Sequence, residues 1–580
     1  MILLATLCLA LMPHGGRFQP PLGPLPTTAN PAPVVPDPGP AGGDGSLGGG
    51  LGDGDNVIIP DNPGPGALPS LPGMGPVSYF DGTSWEWWFD FNEEALVDAR
   101  RRMSQRELRP GDRGFEPITD EDRLQRLLPV LSAALEHPDR DMRATAAMSL
   151  GRLGLGASVP LLITMVEDPD LFVRAQSVIA LGATGRPAAL ETLAAIANDR
   201  RQNDEMRVFA MAAVALVSGE EAAGLLAGWL SPAKLAHENN IVRAGAIFAA
   251  GVNESPGLLD ALLTLAESKL CRKEPTMEAL VAGALGRVPS EQALPALLIY
   301  SRRQDNQVRR SAAAGLQGQT ARLSPAQAQL LWEQLADEGD WTIKLSLIKA
   351  LSGCRLPWVS ERLARMLSST RTGAIPHVAL ALGLDGSPDH VPTLLDELDR
   401  RRDTSLRGAL ALALGLLGDP RAARALADLA ERNPGPQLQS ALCLAAGLVD
   451  HEQPGQVKGL SELVVRSHDI EVIRHGVMAL GLLGARNSLD ALSSSLGDVR
   501  STVDLASMIH ALGLSGDRRQ IAPLLAMIEA DEQPRFVLRY ALGALGDLAD
   551  PRPLSPSGRF SRYANLELDM GLLFELYRML

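Results

Sequence analysis

Beyond residue 120 the hydrophobic positions fall on a helical period, and the helices recur in pairs. HPDRDMRATAAMSLGRLG (137–154) and EDPDLFVRAQSVIALGATG (167–185) align on Arg143 and Arg174, which places Gly151 and Gly182 31 residues apart. Thirteen such units follow one another, the last ending at Gly546. Each closes with a helix ending in Ala-Leu-Gly or a near variant; the small residues let a neighbouring helix approach and Gly suits a helix C-terminus. Ahead of it runs a second helix, marked in five units by a first-turn proline (Pro129, Pro160, Pro295, Pro392, Pro523). Proline there forfeits no intrahelical hydrogen bond. Two helices of this length cannot bury their apolar faces alone, so the units must stack. The pattern predicts an all-α, right-handed α-solenoid of about thirteen helix pairs over 120–550, on the order of 130 Å along its contour at roughly 10 Å per unit.

The turn between paired helices carries a further signal. An acid or amide stands four residues before a base in Asp139/Arg143, Asp170/Arg174, Asn203/Arg207, Asn239/Arg243, Asp305/Arg309, Asp340/Lys344, Asp403/Arg407 and Asp531/Arg535. The Asp or Asn is suited to cap the second helix, and the base lies one turn inside it. A structural ladder follows, in which each Arg answers a turn carboxylate of an adjacent unit. The rival is a basic stripe that binds anions, disfavoured by a net charge of −14. The same charge speaks against a nucleic-acid partner.

At these residues the chain resembles the HEAT-like repeats of the phycobilisome-lyase type. There the turn reads Asp-Pro-Asp-x-x-Val-Arg and the second helix ends Ala-Leu-Gly; EDPDLFVRAQSVIALG (167–182) matches almost throughout. The resemblance covers roughly 125–550 and implies a solenoid presenting a long curved surface to a partner. In outline the chain is also similar to bacterial extracytoplasmic HEAT-repeat proteins.

The flanks differ in composition. Ile2 to Met12 is an uncharged apolar run with the length of a signal-peptide core, which places the expected location outside the cytoplasm, with a cytoplasmic protein as the alternative. Residues 13–76 hold 16 Pro and 16 Gly and read as a disordered linker. Segment 77–119 then concentrates aromatics, Trp85, Trp87 and Trp88 among them. They are expected to lie as a lid over the helices of 120–154; the rival is an exposed platform for a ligand. Residues 551–580 are expected to cover the other end with a helix whose Leu568, Leu572, Leu573, Leu576 and Leu580 form one stripe, capped by Asn565 or Asp569.

No nucleophile elbow, zinc-protease motif or phosphate loop is present. The repeat type is shared with deoxyhypusine hydroxylases, which hold iron with His-Glu pairs. Here His237-Glu238 and His451-Glu452 fall in turns some six units apart, and Gly476 follows Arg474-His475 where such a site needs Glu. Neither a metal nor another cofactor is expected, and His377, His475 and His510 read as packed or surface residues. Cys271 and Cys354 lie too far apart to bridge, and Cys443 reads as a buried thiol. No apolar run is long enough to span a bilayer. The expected role is a non-enzymatic scaffold that docks a protein or polymer on its curved second-helix face; the alternative is an enzyme or enzyme subunit of the bilin-lyase type.

Overall fold

Asp and Asn side chains start most of the repeat's second helices. Asp139, Asp170, Asn203, Asn239, Asp305, Asp340, Asp403 and Asp469 each accept a hydrogen bond from a first-turn backbone N–H, satisfying a donor that the helix itself leaves open. The computed structural model describes residues 85–105, 116–369, 373–432, 434–449, 455–552, 554–556 and 558–560, and within them there is no strand. The segments 1–12 and 13–76, and the C-terminal stripe from Leu568 to Leu580 with its caps Asn565 and Asp569, lie outside the described residues.

Two helices precede the repeats, α1 (Trp85–Val97) and α2 (Ala99–Gln105). Thirteen inner helices then follow: α3 (Arg140–Arg152), α4 (Leu171–Ala183), α5 (Asp204–Leu216), α6 (Asn240–Asn253), α7 (Pro275–Arg287), α8 (Asn306–Gln317), α9 (Trp341–Ser352), α10 (Ala374–Asp385), α11 (Thr404–Leu417), α12 (Pro436–Leu448), α13 (Ile470–Leu482), α14 (Thr502–Gly513) and α15 (Arg535–Ala549). Each is preceded by an outer helix, from Leu128–Ala134 to Ile521–Ala530. The outer helices bury one stripe. The inner ones are buried almost throughout, as in α5, where every residue from Met206 to Leu216 is buried. The chain thus forms an α-solenoid of paired helices, as its periodicity predicts.

Glycine sets the spacing between inner helices. A Cβ placed on Gly182 would stand 2.2 Å from the Ala213 carbonyl oxygen of the next helix, and one on Gly151 would stand 2.4 Å from that of Ala180. Backbones meet here because no side chain intervenes.

The same contact recurs where the array should have ended. A Cβ on Gly546 in α15 would lie 2.8 Å from Ser149 Cα in α3. α15 packs on α3 as it packs on α14, so the thirteen inner helices close into a ring. Ser149 Oγ donates to Leu542 O at 2.9 Å, and Arg152 pairs with Asp547 at 2.6 Å with both side chains buried. Arg123 Nε donates to Ala549 O at 2.8 Å, and Arg518 Nε to Asp122 at 2.7 Å. An isolated bridge joins Pro117 to Asp517 across the same seam. The expectation of two open ends, each needing a lid, is therefore corrected. The two terminal faces are the same kind of surface as every internal interface, and they cover each other.

Candidate functional site

With no open end to cover, the aromatic segment does something else. α1 and α2 lie across α10 to α13, where Trp85, Trp88, Phe89, Val97 and Met103 form one apolar cluster with Leu380, Leu412, Leu444 and Leu482. Trp85 and Trp88 are buried, and the Trp87 side chain lies outside the described residues. Trp85 Nε1 donates to Ser405 Oγ at 2.8 Å, and the Lys349 ammonium sits 4.7 Å from the Trp88 ring centre, a cation–π distance. The lid expected over 120–154 is thus displaced by several repeats, because α10 to α13 offer Gly408 and Gly481 as recesses for Trp85 and Met103. From the other terminus, Arg559 donates to the Ala215, Leu216 and Val252 carbonyls, and Phe560 stacks on Phe248 with ring centres 5.5 Å apart. The two flanks also meet, Ser555 donating to Glu94 through its N–H and Oγ at 2.6 and 2.7 Å.

A buried polar network fastens α1 to the ring. Glu93 receives both Arg474 nitrogens, at 2.6 and 2.9 Å, while Arg474 also bonds Glu471 at 2.7 Å. His475 Nε2 lies 3.1 Å from Glu93 Oε2, and its Nδ1 lies 2.6 Å from Ser440 Oγ. Burial by itself would raise the Glu93 pKa, but the Arg474 charge and then His475 outweigh it and hold the carboxyl well below the usual range. Burial likewise works against the Arg474 charge, and Glu471 and Glu93 overcome it and raise its pKa.

Beside this network, between α1 and the inner helices α11 to α13, opens a cavity of about 360 Å³. Trp85, Phe89 and Leu412 give it an apolar wall; Ser440, His475 and Glu471 line it as well. Gly435 precedes α12 with φ 93° and no side-chain cap, and Gln437 and Leu438 of the helix's first turn line the cavity. Sequence reading gave His475 the place of a packed or surface residue and no ligand or catalytic role. Its partner Ser440 is one repeat away, but Glu93 is 382 positions away, and only the ring's filling brings it there.

The family model described as HEAT repeats matches residues 128–216, 229–317 and 359–447. The chain is a HEAT-like repeat protein. Among solved structures, the complex of CpcE and CpcF of phycocyanin lyase from Nostoc sp. PCC7120 is 18% identical, covering 44% of this chain and 92% of that one, at a TM-score of 0.29. YibA_ECOLI is 17% identical, covering 46% and 93%, at 0.31. Human deoxyhypusine hydroxylase in complex with glycerol is 19% identical, covering 46% and 97%, at 0.22. No curated protein sequence matches.

In these HEAT-like turns the capping residue and the base have separate tasks. Arg143 donates to the His137 and Pro138 carbonyls of its own turn, and through Nε and Nη2 to Asp168 of the next, at 2.9 and 3.1 Å. Arg309 does the same with the Arg303 and Gln304 carbonyls and Glu338. Arg207 reaches Glu238 at 2.9 Å and Arg243 reaches Glu274 at 3.1 Å. The acceptor at Asp168 and Glu338 stands two residues before the next cap, whose N–H it also accepts. Cap residues are linked separately, Arg140 to Asp170 at 3.4 Å and Asn306 to Asp340 at 3.1 Å.

Two positions depart from the ladder drawn from sequence. Arg174 donates to the Asp168 and Pro169 carbonyls of its own turn, and among the described residues it forms no ion pair with a neighbouring turn's carboxylate. Arg407 Nε finds no acceptor among the described residues, and burial, with Arg402 and Arg432 nearby, lowers its pKa. Asp403 still caps its helix, whereas Asp531 forms an exposed pair with Arg535 at 2.8 Å. Arg309→Ala is expected to cost about 1.5–3 kcal/mol in urea unfolding, the range for charge-assisted hydrogen bonds, because Glu338 loses both guanidinium donors and keeps the Asp340 N–H. A loss below about 0.5 kcal/mol would remove the clamp from the stability account.

Of the remaining sequence candidates, Glu238 is engaged by Arg207 and Arg200, and His451-Glu452 lies outside the described residues. His377 and His510 are buried. No group of His, Cys, Asp and Glu among the described residues has metal-binding geometry. Burial pushes the Cys271 and Cys443 thiols up to about 12 and Cys354 up to about 11. A maleimide at neutral pH is therefore expected to leave Cys271 and Cys443 unmodified in native protein and to label them fully in denaturant, read by peptide mass; native labelling matching denatured labelling would contradict their burial.

Proposed function

We propose that the chain is a scaffold, acting outside the cytoplasm, that docks a segment of a partner protein on its inner-helix face. The observation that carries this is how that face is filled. α1 and α2 cover much of α10 to α13, and Arg559 and Phe560 occupy the region of α5 and α6. Beside α1 the cleft over α11 to α13 stays open. It combines an apolar wall with Glu86, Asp90 and Asp469, which favours a neutral or basic segment. No helix among the described residues is long and apolar enough to cross a membrane.

A photo-crosslinking residue at Gln437, in the cleft, tests the docking. One partner captured stoichiometrically from that position, and not from Gln329 on the outer helix Pro325–Asp337, is the expected result. Equal capture from both positions overturns it. Fractionation of cells expressing the full chain tests the location, which rests on the apolar run from Ile2 to Met12.

A further inference from the structure

We propose that Ser440, His475 and Glu93 form an acyl-transfer site that hydrolyses small uncharged esters in the cleft beside α1. This goes beyond docking and rests on the cavity alone, not on what binds there.

The arrangement has the parts that nucleophilic serine chemistry requires: a hydroxyl bonded to an imidazole whose other nitrogen is bonded to a carboxylate. Ser440 Oγ stands 2.6 Å from His475 Nδ1, and His475 Nε2 stands 3.1 Å from Glu93 Oε2. All three side chains are more than nine-tenths buried, and Ser440 and His475 line the cavity. Because ionised Glu93 can only accept, the tautomer with its proton on Nε2 is the one that leaves Nδ1 bare toward the Ser440 hydroxyl. Glu93, bonded to the ring nitrogen that faces away from Ser440, fixes the orientation of the imidazole as the hydroxyl proton is taken.

The reaction follows from these positions. Ser440 Oγ bonds to the ester carbonyl carbon as its proton passes to His475 Nδ1. The carbonyl oxygen gains the negative charge, and the first turn of α12, which has no side-chain cap, supplies residues to the same cavity wall. The carbon–alkoxy bond then breaks and His475 returns the proton to the departing alcohol. Water adds to the acyl-serine carbon, again giving a proton to Nδ1; the carbon–Oγ bond breaks, Ser440 regains the proton and the carboxylic acid leaves. About 360 Å³ beside Trp85, Phe89 and Leu412 suits a short apolar acyl group, and Glu86, Asp90 and Asp469 disfavour an anionic one. Glu93 is a positioning residue, since it acts through His475.

A fluorophosphonate probe on the full-length protein tests this by peptide mass and rate. One phosphonyl group per chain on Ser440 is expected, absent in Ser440→Ala. His475→Asn should slow labelling at Ser440 by about 100-fold or more, the size of a lost general base. Glu93→Gln should slow it too, with Glu93→Asp recovering much of the rate, a rescue that packing alone would not give. Thermal melts identify variants that stay folded. No adduct on Ser440, an adduct only elsewhere, or a folded His475→Asn protein that labels at the native rate each overturns the proposal.

Discussion

Asp547→Ala is expected to destabilise the repeat array by about 3–5 kcal/mol, the cost of removing one partner of a buried ion pair. Arg152, 3% exposed, would lose the carboxylate 2.6 Å away and remain in place with its charge. In an open array α15 would be a terminal helix, and a change on its free face would cost within about 0.5 kcal/mol. Gly546→Ala tests the same seam by sterics. Its methyl would meet the Ser149 backbone, and overpacking of this kind costs about 1–3 kcal/mol. Urea unfolding of both variants checks the closure, and two near-neutral results would mean the array is open in solution.

Glu93→Ala acts on the second large term. It takes the carboxylate from Arg474 and His475 together, leaving Arg474 buried with Glu471 as its remaining acidic partner. A loss of about 3–5 kcal/mol is expected in the attachment of α1, with the ring itself spared. The readout is local. Trp85 and Trp88 would enter water, so tryptophan emission should shift to the red, and protease should cut near Val97 well before it cuts the repeats. Unchanged emission and an uncut α1 would show that the apolar cluster holds the segment without Glu93.

The repeats were legible because their signals are local. Asp or Asn, then a base four residues on, then Ala-Leu-Gly, fixes a cap, a helix and a close packing face within twenty residues. Closure left no such mark. It depends on the rotation accumulated over thirteen interfaces, and the sequence around Gly546 looks like an end because its neighbour, Ser149, lies at the start of the array. The ladder was half legible: the Arg positions were visible, but Asp168 and Glu338 were passed over in favour of the caps beside them. Trp85 and Trp88 announce burial by composition, yet their recesses at α10 to α13 are set by distant glycines. Ser440, His475 and Glu93 come together only because the ring has an interior and the N-terminal flank fills it.

Closure also bears on how such a chain can change length over generations. An open stack gains or loses a unit at little cost, since the units on either side simply shift along. In a ring, an added or deleted pair would alter the angle at every remaining interface and pull Gly546 away from Ser149. Duplication of single repeats, the usual route by which tandem arrays grow, is closed to this lineage unless the circle is first broken.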